Sequence, residues 1–239
     1  MNSSLELRNV SLSYQSKGKE SVVFHSLSVY FPIKGISVIL GASGVGKTTL
    51  LSFIAGILPG EGEIAFEGKR IDQLPPNRRE IAYVTQDYRL YPHMTVFENI
   101  AFPLRIMHAS REEIERRVGE IAKRLDISFL LSRKPKALSG GQQQKIALAR
   151  SLIWNPSILL LDEPFSGLDP NSRAECRRFF QTVLRDFPVT TLLVTHSWED
   201  AMAIGDRVYV IQDRKISFEG TPFEAEQSSY LPAFSEVRP

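Results

Sequence analysis

The chain of 239 residues is long enough for one domain with a substantial core. With 43% apolar and 23% charged residues it has the composition of an ordinary globular protein, and a net charge of +2 gives no reason to expect nucleic acid as a partner. Its single cysteine, Cys176, excludes an intramolecular disulfide, and no Cys-x-x-Cys or His/Cys cluster suggests structural zinc.

Leu5 to Tyr14 (LELRNVSLSY) reads as a strand, and the polar QSKGKESVV before Phe24 as a hairpin tip. An N-terminal antiparallel β-region is therefore expected over residues 3–34, joined by Glu61 to Glu67. Ser37 to Leu40 is a short apolar strand that runs into Gly41-Ala42-Ser43-Gly44-Val45-Gly46-Lys47-Thr48, which fits G-x-x-x-x-G-K-[ST]. The glycines let backbone N–H groups approach phosphate, and the following helix, Thr49 to Ile57, adds the partial positive charge of its N-terminus. Lys47 can reach the β- and γ-phosphates of a nucleotide, and the Thr48 hydroxyl can ligate Mg²⁺.

Ile81 to Val84 is strand-like and leads to Gln86. The aromatic-rich segment Asp87 to Met94 follows, then a helix expected over Val96 to Phe102. Leu90, Tyr91, Met94 and Phe97 are of the kind enriched at interfaces, and the resemblance named below makes them the expected docking residues of a groove. Ser110 with Glu113 three residues on starts a second helix like a capping box, and Ile114, Val118, Ile121 and Leu125 share its apolar face. The charge run Arg111 to Arg117 is its solvated face.

Leu138-Ser139-Gly140-Gly141-Gln142 precedes a helix, Gln142 to Trp154, ended by Asn155-Pro156. Ser139, Gly140 and Gly141 thus form a second anion-binding helix start. Ile158 to Leu161 is a continuous apolar run, expected as a central parallel strand covered on both faces, with Asp162 and Glu163 at its C-terminal end and Pro164 stopping it. Adjacent strand side chains point to opposite faces, so the two carboxylates are expected to serve different purposes. The helix between the Ser-Gly-Gly loop and the carboxylates is about 18 Å long. That distance favours contact of the loop with a nucleotide held by a second chain. Asp169 before Pro170 reads as a helix N-cap, Ser172 to Leu184 as the helix carrying Cys176 in a core or groove, and Thr190 to Thr195 as a strand closed by His196. Val208 to Gln212 and Lys215 to Glu219 read as a closing hairpin around Asp213-Arg214, and residues 221–239 as a polar tail.

Together GASGVGKT, Gln86, LSGGQ, ILLLDE, Asp169 and His196, in this order, resemble the ATP-binding subunit of an ATP-binding cassette (ABC) transporter, over about Leu5 to Gly220. The resemblance implies an α/β fold: a P-loop NTPase core with a mostly parallel sheet, an N-terminal antiparallel β-subdomain and an inserted α-helical subdomain. It implies a cassette over 3–222, with the helical part about 87–153 and a short tail 223–239. ATP and Mg²⁺ are the implied cofactors. By resemblance, Tyr14 stacks on adenine and Gly41 to Thr49 hold the phosphates. Thr48, Gln86 and Asp162 serve the metal, Glu163 polarises the attacking water and His196 meets the γ-phosphate. Ser139, Gly140, Gly141, Gln142 and Asp169 complete the nucleotide site of a second cassette. The implied partners are that cassette, integral-membrane permease subunits and a solute-binding protein, with no nucleic acid.

The stretches Leu90 to Ile100 and Arg133 to Leu138 are similar to carbohydrate-importer ATPases, which usually carry a further C-terminal regulatory domain. Fewer than twenty residues follow the cassette here, so a bare cassette for an anion, metal or other small solute is equally open. A soluble ABC-type ATPase outside transport, or the cassette of an exporter, is the alternative. With no signal-like N-terminus and no apolar run near the ~18 residues that span a bilayer, the expected location is cytoplasmic, on the inner face of the membrane through the permease.

Overall fold

The computed structural model describes residues 4–16 and 19–228. Two sheets organise it. The first is antiparallel, in the order β2-β1-β4-β5, from β1 (Ser4–Ser16), β2 (Lys19–Pro32), β4 (Glu61–Phe66) and β5 (Lys69–Arg70). The expected tip between β1 and β2 falls at residues 17–18, outside the described residues, as do residue 3 and most of the polar tail, 229–239.

The second sheet has the order β10-β9-β3-β8-β7-β6, from β3 (Ile36–Gly41), β6 (Ile81–Val84), β7 (Ile158–Asp162), β8 (Thr190–Thr195), β9 (Arg207–Gln212) and β10 (Lys215–Gly220). All its pairings are parallel except β9–β10, a hairpin whose two tip residues, Asp213 (φ 50) and Arg214 (φ 62), both take the left-handed conformation that a two-residue turn needs. The central strands are buried along their length and apolar in their middles because both faces are covered. Val38, Leu40, Leu159, Leu161 and Leu193 enter one core with the helices between β6 and β7; Ile39, Ile158, Leu160, Leu192 and Val194 enter a second with the N-terminal sheet and α1 (Lys47–Ile54).

Helix α1 is shorter than the expected Thr49 to Ile57. Gly56 (φ 77) turns the chain away, and the buried Arg79 guanidinium donates to the carbonyls of Phe53 (3.0 Å) and Ile54 (2.9 Å), closing the helix C-terminus. Between β6 and β7 lie α2 (Val96–Ile106), α3 (Arg111–Arg124) and α4 (Gly140–Leu152). Helix α2 runs past the expected end at Phe102, with Pro103 inside it and Met107 N–H donating to Pro103 O at 3.1 Å. On α3 the capping box is only half formed. Ser110 Oγ accepts from Glu113 N–H at 3.2 Å, but the Glu113 carboxylate turns to Arg116 and Arg117. Three further helices follow: α5 (Pro170–Asp186), α6 (Trp198–Ile204) and α7 (Pro222–Glu226).

Candidate functional site

Strands β3, β8, β7 and β6 are neighbours and parallel, so their C-terminal ends lie side by side. The segments leaving them carry, in order, the glycine loop, His196, the Asp162–Glu163 pair and Gln86. Residues more than a hundred positions apart therefore meet at the edge where open α/β sheets bind ligands. A cavity of about 440 Å³ there is lined by Tyr14, Lys47, Thr48, Gln86, Glu163 and His196, along with Ser43, Gly44, Gly46, Thr49 and Ser166.

The loop geometry depends on Gly46. Its φ of 104° is left-handed, and a Cβ there would sit 2.2 Å from Val23 Cγ1 and 3.0 Å from the Phe24 ring. Lys47 is 6% exposed; its Nζ donates to Gly41 O (2.7 Å) and Ala42 O (3.0 Å) and lies 3.4 Å from Glu163 Oε1. Burial lowers its pKa, and the Glu163 charge opposes that shift. Thr48 Oγ1 donates to Asp162 Oδ1 at 2.9 Å. Burial pushes the Asp162 carboxyl up, against the hydrogen bonds from Thr48 and Tyr83.

The alternation expected to separate the two carboxylates ends with the strand. Glu163 has φ 47, outside β7, and this left-handed turn brings its carboxylate into the cavity, with Oε2 2.9 Å from His196 Nδ1. His196 is in turn placed by its neighbours: Ser197 N–H donates to Thr195 Oγ1 (3.0 Å), which donates to the buried Asp200 (3.1 Å), and Arg177 Nε lies 3.0 Å from that carboxylate. Tyr14 is 41% exposed and its hydroxyl is 2.8 Å from Thr49 Oγ1, so the ring is anchored at the cavity wall.

Ser139, Gly140, Gly141 and Gln142 lie elsewhere. They line a cavity of about 520 Å³ with Gly167, Leu168 and Asp169, sharing no lining residue with the first. Ser139 caps α4 in a full capping box, accepting from Gln142 N–H (3.3 Å) while its own N–H donates to Gln142 Oε1 (3.1 Å). Asp169 caps α5 through Asn171 N–H (3.2 Å) and Ser172 N–H (3.1 Å), and the Ser172 hydroxyl together with these bonds holds its carboxyl below the ordinary value.

Three contacts had no signal in the motifs. Tyr83 donates to Asp162 Oδ2 at 3.0 Å. Ser166 Oγ donates to Glu163 O at 2.9 Å. The buried Gln144 of α4 donates to Pro164 O at 2.6 Å, and it also bonds Tyr88 and Cys176. Gln144 thereby ties α4 to the turn after Glu163 and to the segment after Gln86. The one cysteine sits in the main core, as expected, and its thiol also meets Gln144 Oε1.

An apolar groove of about 540 Å³ opens between Phe102, Pro103, Ile106 and Met107 of the α2 region and Ile81 and Trp154. Its lining does not include the expected docking residues Leu90, Tyr91, Met94 and Phe97. Leu90 and Phe97 are partly buried against the main core, and the Tyr91 ring lies 4.6 Å from that of Phe102.

A mostly parallel sheet with a glycine loop, lysine and hydroxyl at the end of one strand and a carboxylate pair at the end of another defines an α/β P-loop nucleotide-binding protein. The family model described as "ABC transporter" matches residues 24–166, and the chain belongs to that family. It is 45% identical over 203 residues to the molybdate/tungstate import ATP-binding protein WtpC of Pyrococcus abyssi, covering 84% of this chain and 59% of that protein. It is 48% identical over 190 residues to the glucose import ATP-binding protein GlcV of Saccharolobus solfataricus, covering 77% and 54%. The chain therefore spans between half and three-fifths of these relatives' length. Among solved structures it is similar to the dimeric post-hydrolysis state of the ATP-binding cassette MJ0796 bound to ADP and Pi, with TM-score 0.79 and 28% identity over 91% of this chain and 98% of that one. No helix among the described residues is long and apolar enough to cross a membrane.

Proposed function

We propose that this chain binds and hydrolyses ATP as the cassette subunit of an ABC importer, with the cassette over 3–222 and its helical part over about 87–153. The observation that carries the reading is the convergence of Tyr14, Lys47, Thr48, Gln86, Glu163 and His196 on one cavity at the strand ends. Lys47 and the loop N–H groups hold the β- and γ-phosphates, and Tyr14 takes the adenine ring. Glu163 accepts the proton of the attacking water, and His196, hydrogen-bonded to it, orients the carboxylate beside the γ-phosphate.

The donor set fits Mg²⁺. Thr48 Oγ1 and the Asp162 carboxylate are hard oxygen ligands at one place, and Gln86 lines the same cavity. Among the described residues no group of three or more His, Cys, Asp or Glu could hold a metal by itself. Magnesium suits such a sparse site, because phosphates and water supply its remaining ligands. When bound it neutralises charge on the β- and γ-phosphates.

Helix α4 has 13 residues, so it sets its two ends roughly 20 Å apart. The separation of the Ser139 cavity from the phosphate cavity supports a head-to-tail dimer in which Ser139, Gly140, Gly141, Gln142 and Asp169 complete the partner's site. The dimeric cassette structure to which the chain is similar supports the same arrangement. The groove at Phe102, Ile106 and Met107 is the surface for a cytoplasmic helix of the permease, which holds the chain at the inner face of the membrane. A solute-binding protein would deliver the cargo. Relatives named for import of molybdate/tungstate, glucose, sn-glycerol 3-phosphate and trehalose/maltose support import over export, and their range leaves the cargo to the other subunits.

Met107 is 58% exposed, so Met107→Asp tests the groove without disturbing the core. The variant is expected to keep ATP binding and to lose co-purification with the permease, because a charge would be buried without a partner. Undiminished co-purification would move the docking surface elsewhere.

A further inference from the structure

The Asp162 carboxylate is 4% exposed and carries one hydroxyl on each oxygen. Thr48 donates to Oδ1 at 2.9 Å and Tyr83 donates to Oδ2 at 3.0 Å. Tyr83 stands on β6, the strand beside β7, with its ring packed against the core that α1 covers. One side chain from α1 and one from the neighbouring strand β6 therefore converge on a single carboxylate.

The half-buried Tyr83 hydroxyl gives its proton to the carboxylate, on the oxygen away from Thr48. The terminal torsion of an aspartate is broad, so one bond alone leaves the carboxylate plane free to swing. With Oδ2 held by Tyr83, Oδ1 stays turned toward Thr48 and the phosphate loop. The bond also spreads charge away from the metal-facing oxygen without removing it.

We propose that Tyr83 is a positioning residue for the divalent cation, fixing the Asp162 carboxylate so that its Oδ1 edge faces the metal. This rests on the assignment of Thr48 and Asp162 as the metal donors made above. Partners of metal-ligating carboxylates hold the ligand in place before the ion arrives, and losing one typically weakens metal binding by about 10- to 100-fold. Tyr83 has this relation to Asp162, although nothing in its position on the strand distinguishes it from a core residue.

The test uses the full chain with Mn²⁺ as a paramagnetic probe, titrated by electron paramagnetic resonance in the presence of a β,γ-imido analogue of ATP. Tyr83→Phe keeps the ring and removes only the hydroxyl, and Tyr83→Met is a second apolar replacement. Both are expected to raise the Mn²⁺ dissociation constant by about tenfold or more. Metal-free affinity for the analogue should stay at the wild-type value, and the metal-free melting temperature should fall by only about 2–4 °C, the worth of one hydrogen bond. Asp162→Asn serves as the reference loss. If Asp162→Asn weakens Mn²⁺ binding and neither Tyr83 variant does, the role of Tyr83 is overturned while the metal assignment stands. If Asp162→Asn leaves Mn²⁺ binding intact, both are overturned. A parallel fall in metal-free nucleotide affinity would make Tyr83 a support of α1 instead and would overturn the proposal too.

Discussion

Glu163→Gln removes one charge and almost no volume from the centre of the site. In the wild-type chain the carboxylate lies 3.4 Å from Lys47 Nζ and 2.9 Å from His196 Nδ1. The glutamine amide can keep both contacts as neutral hydrogen bonds, and Lys47 retains the Gly41 and Ala42 carbonyls. Folding stability should therefore change by only about 1 kcal/mol, the size of one altered hydrogen bond, or roughly 2–4 °C in melting temperature. Nucleotide binding should persist, since no phosphate-binding donor is lost. Turnover is different, because an amide cannot take a proton from water. Loss of a general base costs about 10²–10⁴-fold, or about 2.7–5.4 kcal/mol of transition-state stabilisation. The assay is steady-state phosphate release at saturating Mg-ATP, with binding of a fluorescent ATP analogue and light scattering alongside. The expected picture is slow turnover, intact binding and an accumulated ATP-bound dimer. Turnover equal to wild type would remove Glu163 from the chemistry, whatever its position.

Ser139→Arg should leave ATP binding to the single chain near normal, because Ser139 lies in the second cavity, and should abolish both the ATP-dependent dimer and hydrolysis. Full activity would reduce the loop to a helix cap. Tyr14→Ala should lose about 1–3 kcal/mol of nucleotide affinity, the worth of one stacked base, which is roughly 5- to 150-fold. Tyr14→Phe should keep that affinity and lose only the Thr49 hydrogen bond, seen as a slightly lower melting temperature; unchanged affinity in Tyr14→Ala would make the ring structural. Burial pushes the Cys176 thiol up to about 12, so in the folded chain about one thiol in 10⁴ is ionised at pH 8. A thiol reagent should react only after denaturation. Because the folded value is the raised one, this group favours the fold below the ordinary thiol range and loses that contribution as pH climbs toward 12. Rapid labelling of native protein would contradict this burial.

The phosphate loop was legible because its working parts are contiguous: strand, glycines, Lys47 and Thr48 follow one another. The buried strands were legible because a sheet covered on both faces demands unbroken apolar runs, as at Ile158 to Leu161. Tyr83 was not, since its partner lies 79 residues away and its own place on β6 looks like any half-buried aromatic. The rule that adjacent strand residues diverge holds for Leu161 and Asp162 but not for Glu163, whose left-handed φ no local pattern announced. Pro103 misled in the other direction. Proline normally marks a helix end, yet α2 continues, and the Asn99 side chain donates to the carbonyls of Tyr91 (3.1 Å) and Thr95 (2.9 Å) at its start. That extra turn carries Ile106 and Met107 out to the groove.

The distance between the two cavities of one chain has a kinetic consequence. In the head-to-tail dimer proposed above a single chain would hold two halves of different catalytic sites, so below the dimer dissociation constant its turnover would rise with the square of its concentration and dilution alone would act as an inhibitor. A permease with two docking surfaces would change that order of reaction. Each chain would then meet its partner at an effective concentration that can reach the millimolar range for closely tethered modules, and turnover would become first order in assembled transporter. Free subunits in dilute solution would consume little ATP, and the fuel would be spent mainly where a membrane pathway is attached.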